Sequence, residues 1–155
     1  MVKVLITGGA GYLGSTLASE LLHRGFKVTV LDNLMYKQTS LLHLCSNSNF
    51  RFIKQDVTDF DLLKETIKDY DVIIPLAAIV GAPACDADKD LATRVNFVQI
   101  QTIVDNLRDN QKLIMPNTNS QYGSSVDIIT EESPFNPLSH YAKTKCDAED
   151  VILDG

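Results

Sequence analysis

The sequence predicts an α/β fold built on a doubly wound parallel sheet, and three observations carry that prediction. Short apolar runs alternate with segments of helical periodicity from end to end. The first of those runs hold little internal charge, as strands covered on both faces require. The first of them stops abruptly in a glycine cluster, Gly8-Gly9-Ala10-Gly11-Tyr12-Leu13-Gly14.

The elements follow in order. The expected strands are 3–7, 27–31, 50–55, 71–76 and 112–115, each rich in Val, Ile, Leu or Phe. Between them, 12–24, 61–68 and 89–110 interleave polar residues at helical spacing. Such alternation gives βαβ units with right-handed crossovers. In the first helix Leu13, Leu17, Ala18 and Leu21 are expected on the buried face, and Gly25 stops it. Residues 34–48 read as a long, polar, irregular connection with one turn of helix at 41–44. Residues 79–85 read as a loop. A last helix starts near Ser139.

Composition bounds the partners. A chain of 155 residues is one domain by length. Its 45% hydrophobic and 22% charged residues are ordinary for a globular protein. The net charge of -6 and the lack of a Lys/Arg cluster argue against nucleic acid. Cys45, Cys85 and Cys146 are an odd number without CxxC spacing, which fits a reducing compartment better than a disulfide framework or a zinc site. His23, His43 and His140 make no metal spacing either, so no metal is expected. No apolar stretch reaches membrane-spanning length and no leader segment is read, so the expected location is cytoplasmic, without a membrane partner.

The glycines match two patterns at once, GxGxxG through Gly9, Gly11 and Gly14 and GxxGxxG through Gly8, Gly11 and Gly14. In either register one glycine permits a tight turn, one lets the backbone approach a pyrophosphate, and one lets helix and strand pack closely. The helix N-terminus then meets the anion with unpaired N–H groups and a positive dipole end. A strand before the motif and a helix after it make it a dinucleotide-binding signature. Asp32, at the end of the second strand, can accept hydrogen bonds from ribose hydroxyls and would repel a 2′-phosphate, favouring NAD over NADP. Asp56, at the end of the third, is a candidate for the adenine edge.

Tyr141 and Lys145 are spaced i, i+4 and share a helix face. A free phenol titrates near pH 10, about three units above neutrality. A phenol that works as a base therefore needs positive charge beside it, which an ammonium and an oxidised nicotinamide both provide. Just after the fifth strand stands Asn117-Thr118-Asn119-Ser120-Gln121-Tyr122-Gly123, where Thr118 and Ser120 each offer a hydroxyl for a substrate oxygen.

Taken together, Thr7 to Gly14, Asp32-Asn33, Asp56-Val57, Leu76-Ala77-Ala78, Asn96, Thr118 to Gly123 and Tyr141-x-x-x-Lys145 resemble the extended short-chain dehydrogenase/reductase family, in its nucleotide-sugar epimerase/dehydratase branch. The resemblance covers essentially the whole chain. It implies a Rossmann-type domain over 1–155, with the C-terminal substrate domain missing. It implies a held NAD, a nucleotide-sugar substrate, and a tyrosine that takes a proton from a sugar hydroxyl while hydride goes to the nicotinamide. Thr118, Tyr141 and Lys145 take the catalytic positions. Gly8, Gly11, Tyr12, Leu13, Gly14, Asp32, Asn33, Asp56, Val57, Leu76, Ala77, Ala78, Asn96, Tyr141 and Lys145 take the cofactor positions. The helices at 89–110 and 139–151 would pair into a homodimer.

The chain also departs from the family pattern. Pro116-Asn117-Thr118-Asn119 stands where a run of Ser and Thr is usual. Asn119-Ser120 replaces the Asp-Glu of the dehydratases, which counts against 4,6-dehydration. Pro75 replaces a histidine before Leu76-Ala77-Ala78, and Cys85 reads as lining rather than nucleophile. The expected function is an epimerase-like oxidoreductase acting at a sugar carbon, C4. The alternatives are a nucleotide-sugar 4-dehydrogenase or reductase without epimerisation, or a non-catalytic NAD(H)-sensing protein.

Overall fold

The computed structural model describes residues 1–124 and 128–155. The chain forms two compact units. One, the sheet unit, comprises Met1–Ala77 and Asn106–Pro116; the other, the helical unit, comprises Ala78–Asp105 and Asn117–Gly155.

The sheet unit holds five parallel strands, β1 (Lys3–Thr7), β2 (Lys27–Asp32), β3 (Phe50–Lys54), β4 (Val72–Pro75) and β5 (Lys112–Leu113). Their order is β3-β2-β1-β4-β5. The chain thus builds outward from β1 to β3, then returns to the other side of β1. In sheets with such a reversal, ligands bind beyond the carboxyl ends of the strands at the switch point, here those of β1 and β4. Val4 and Ile6 of β1 and Val28 and Val30 of β2 pack with Ala18 and Leu22 of helix α1 (Tyr12–His23), with Leu41 and Leu44 closing the same cluster. Helix α2 (Phe60–Ile67) is capped by the Asp59 carboxylate, which accepts the Leu62 N–H, and it buries Leu63 and Ile67.

The fold class expected from the sequence is the one observed, with local corrections. Leu13 is 56% exposed, so the buried face of α1 is Gly14, Ala18 and Leu22, with Leu17 and Leu21 only partly covered. The glycine at the start of the stripe brings the helix too close to the turn for a leucine to fit there. Strand β4 ends at Pro75, although the Leu76 N–H still donates to the Thr7 carbonyl at 2.9 Å. Strand β5 is two residues long, although the Ile114 N–H still reaches the Ile73 carbonyl at 3.0 Å. A single turn of 3₁₀ helix, Leu42–Leu44, sits within the irregular 34–48 connection.

The helical unit departs further. Residues 79–85 were expected as a loop, but a short helix α3 (Ala82–Ala87) starts there, with Pro83 in its first turn, where the missing N–H costs nothing. The single helix expected over 89–110 is α4 (Lys89–Thr93), a π-helical turn (Arg94–Val98) and α5 (Gln99–Val104). Asp88 caps α4 by accepting the Leu91 N–H at 2.9 Å. Helix α6 (His140–Asp154) starts where expected, with the Ser139 hydroxyl accepting the Ala142 N–H at 3.1 Å.

Ile6 is fully buried at the centre of the sheet. Its replacement by alanine is expected to cost about 2–5 kcal/mol. Urea titration should show a lower midpoint at unchanged slope; an unchanged midpoint would remove β1 from the core.

Candidate active site

In the sheet unit the site begins where β1 ends. Gly8 has φ +66, and a Cβ there would stand 2.5 Å from the Cα and N of Ala77. A Cβ on Gly14 would stand 2.5 Å from Gly9 Cα. Neither position accepts a side chain, so the turn, the start of α1 and the exit of β4 all depend on bare backbone. The Gly8 N–H donates to the Leu31 carbonyl at 2.8 Å, and the Gly11 N–H to the Gly8 carbonyl at 3.1 Å. Gly11 is the N-cap of α1 and brings no capping side chain. First-turn N–H groups are orphans in any helix, and here they stand at the positive dipole end, where an anion is favoured. Tyr12 beside them is 95% exposed.

Asp32 ties this turn to β2. It is 8% exposed; its Oδ2 accepts the Ala10 N–H at 3.0 Å and its Oδ1 the Leu34 N–H at 2.8 Å. A carboxylate has about four lone-pair sites, so both oxygens keep capacity for ribose hydroxyls. Ser40 supports the same turn, its hydroxyl donating to the Ala10 carbonyl at 2.7 Å. The Asn33 amide donates to Asp56 Oδ2 at 2.8 Å, while Asp56 Oδ1 accepts the Thr58 N–H and hydroxyl at 2.9 and 2.7 Å. The structure thus brings Asp32, Asn33 and Asp56 together beyond β2 and β3. Val57 beside them is buried. Leu76 packs on the core, and the Ala77 N–H lies 3.4 Å from Thr7 Oγ1.

In the helical unit, α6 carries Tyr141 half-buried and Lys145 buried at 7% exposure, one turn apart. Burial pushes the Lys145 ammonium below its ordinary pKa; the Glu149 carboxylate, a further turn along, opposes that shift. Thr118 caps a 3₁₀ turn (Asn119–Tyr122) that packs against α6. Its Oγ1 accepts the Ser120 N–H and donates to Ser120 Oγ, both at 3.2 Å. Tyr122 is held edge-on against Phe135 at 5.7 Å between ring centres.

Asn96 lies on the π-helical turn and is 2% exposed. Its Oδ1 accepts the Ile79 N–H at 2.8 Å, and its Nδ2 donates to the Ile79 carbonyl at 2.9 Å and to Thr144 Oγ1 at 3.3 Å. It clamps the segment after Ala78 to α6. Cys85 is fully buried, its thiol donating to the Ile79 carbonyl at 3.2 Å, and burial pushes its pKa up. That is the chemistry of lining, not of a nucleophile. His140 Nε2 lies 2.9 Å from Thr93 Oγ1 and 3.1 Å from the Lys89 carbonyl, pinning the start of α6 to α4.

Two site residues escaped the sequence reading. The Asn117 amide donates to the Glu149 carboxylate, and Asn117 Oδ1 accepts the Thr118 N–H at 2.9 Å. The i, i+4 spacing of Lys145 and Glu149 was a visible signal. The contact with Asn117 was not, because it joins segments far apart in sequence.

A parallel sheet with this strand order and a glycine turn at its switch point defines a dinucleotide-binding α/β protein. The chain belongs to the NAD-dependent epimerase/dehydratase family, whose model matches residues 4–154. This is the family that the sequence motifs resembled. A UDP-N-acetyl-alpha-D-glucosaminuronate decarboxylase of Bacillus cytotoxicus is 34% identical over 131 residues, covering 84% of this chain and 40% of that protein. UDP-arabinose 4-epimerase 1 of Arabidopsis thaliana is 31% identical, covering 99% of this chain and 39% of that protein. Among solved structures, the UDP-Glc/GlcNAc 4-epimerase from Campylobacter jejuni superposes with a TM-score of 0.90 at 28% identity, covering 99% of this chain and 49% of that one. The UDP-glucuronic acid 4-epimerase from Bacillus cereus, in complex with UDP-glucuronic acid and NAD, gives 0.88 at 29%, covering 98% and 51%. The chain therefore spans two-fifths to one-half of the length of these relatives. NAD is the cofactor of this family. The sheet unit fits it: a turn that excludes side chains, a helix N-terminus without a side-chain cap, and a carboxylate with acceptor capacity to spare.

Because burial lowers the Lys145 pKa, the unfolded chain binds the extra proton as pH approaches the ordinary value of 10.5. Stability contributed by this position should therefore rise with pH in that window. Urea unfolding of both proteins between about pH 8 and 10 should show the stability of the wild type rising relative to Lys145→Met, since the two buried thiols, Cys85 and Cys146, contribute an opposite slope to both. Parallel curves would mean that burial does not act on the ammonium.

Proposed function

We propose that this chain is the nucleotide-binding and proton-transfer part of an NAD-dependent nucleotide-sugar 4-epimerase. The observation that carries the reading is α6, which presents Tyr141 and Lys145 on one face with the Thr118 turn packed against the same helix. Support comes from the 4-epimerases among its relatives.

Gly8, Gly11, Tyr12, Leu13 and Gly14 would hold the pyrophosphate with backbone N–H groups. Asp32 would hold the adenosine ribose, with Asn33, Asp56 and Val57 beside the adenine. Leu76, Ala77, Ala78 and Asn96 would line or support the rest of the cofactor, and Lys145 would bind its second ribose. Bound NAD supplies a hydride acceptor that can return what it takes.

The chain's own residues manage the proton. Tyr141 Oη accepts the proton of a sugar hydroxyl and later gives it back. The Lys145 ammonium favours the ionised phenol by its charge. The Thr118 hydroxyl donates to the same sugar oxygen and steers it toward Tyr141. Asn119 and Ser120 offer no carboxyl acid for the elimination of water, which favours epimerisation over dehydration.

The test is turnover of UDP-glucose and UDP-glucuronic acid, followed by NMR of the C4 proton. Inversion at C4 is expected. Tyr141→Phe should lower the rate by about a hundred- to ten-thousand-fold. A 4-keto product released without inversion would mark a dehydrogenase instead, and full activity in the variant would eliminate the tyrosine mechanism.

A further inference from the structure

We propose that Glu149 is a positioning residue: through Asn117 it sets Thr118 against the face of α6 that carries Tyr141 and Lys145. The inference rests on the functional reading of those three residues. Tyr141, Lys145 and Glu149 recur at i, i+4 and i+8, so they stack along one side of the helix. Glu149 accepts a hydrogen bond from Asn117 Nδ2, and Asn117 Oδ1 accepts the Thr118 backbone N–H at 2.9 Å. Thr118 itself is extended, at φ -132 and ψ 140. Its N–H therefore lies outside any helical ladder, and the Asn117 side chain is its partner.

The chemistry explains why these residue types stand here. A side-chain amide both accepts and donates, so Asn117 can hold the Thr118 N–H and still reach α6. A carboxylate at 117 could accept but not donate, and it would repel Glu149. An ionised acceptor makes the bond to Asn117 charge-assisted, stronger than one between neutral groups. The Thr118 hydroxyl then has a fixed origin: it accepts from the Ser120 N–H at 3.2 Å while its backbone is held from the other side. Glu149 also opposes the effect of burial on Lys145, so one carboxylate bears on two members of the set. The run Pro116-Asn117-Thr118-Asn119, which departs from the family pattern, thereby acquires a role for its asparagine.

The experiment compares wild type, Glu149→Ala, Glu149→Gln and Asn117→Ala by amide hydrogen exchange and by turnover of UDP-glucose. In Glu149→Ala and Asn117→Ala the Thr118 amide should exchange about tenfold faster, with the sheet-unit amides unchanged. Glu149→Gln keeps an acceptor oxygen and should restore most of the protection. In Glu149→Ala, kcat should fall while KM stays. Unchanged Thr118 exchange in Glu149→Ala would overturn the proposal. So would a rise spread along the whole of α6, which would make Glu149 a helix stabiliser alone. Turnover of UDP-glucose by Tyr141→Phe at the wild-type rate would count against the functional reading, and the exchange data would still decide the role of Glu149.

Discussion

The absence of a Cβ at Gly8 and Gly14 is the constraint on which the sheet unit depends. At each position a methyl group would lie 2.5 Å from backbone atoms, those of Ala77 in one case and of Gly9 in the other. Backbone atoms cannot swing aside as a flexible side chain can. The two contacts therefore fix how the end of β1, the start of α1 and the exit of β4 meet. Asp32 adds a second tie, because it holds the Ala10 and Leu34 N–H groups at once. The same carboxylate, to which the proposed function gives the ribose, is thus part of what shapes the glycine turn. Under that proposal, loss of Asp32 would disturb both the turn and the binding.

The helical unit is organised around a different principle, the polar clamp. Asn96 uses both ends of its amide on Ile79 and also donates to Thr144. His140 anchors the first turn of α6 to α4, and Asn117 anchors the Thr118 segment to its last turns. These bonds join residues that lie 17 to 51 positions apart in the chain. Such ties fix the position of a helix more sharply than extra apolar area does, because hydrogen bonds are directional and apolar contacts are not.

Much of this was legible in the sequence. Apolar runs located the strands of the sheet; the signal is strongest in β1 and β2, which are buried along nearly their whole length, and weaker at the edges, where β3 is only partly buried and β5 keeps two residues. The glycine motif was readable because its requirement is local too: no side chain fits. Tyr141 and Lys145 were readable because i, i+4 spacing is fixed by helix geometry. What escaped was what tertiary contact decides. Leu13 has the right period for a core residue, yet close packing at Gly14 shifts the buried stripe and leaves Leu13 exposed. The segment 89–110 breaks into two helices and a π-helical turn that carries Asn96, a division that periodicity does not encode. The bond between Asn117 and Glu149 spans two distant segments, and no pattern in either one announces it.

The nucleotide that the protein binds is the most direct test. Purified protein is denatured, and the released nucleotide is identified by chromatography and by absorbance at the reduced-nicotinamide band. The account predicts NAD or NADH, either released on denaturation or bound on addition by the native protein in preference to NADP. Release of NADP, or binding of neither dinucleotide by the folded protein, would contradict the roles given to Asp32 and to the glycine turn.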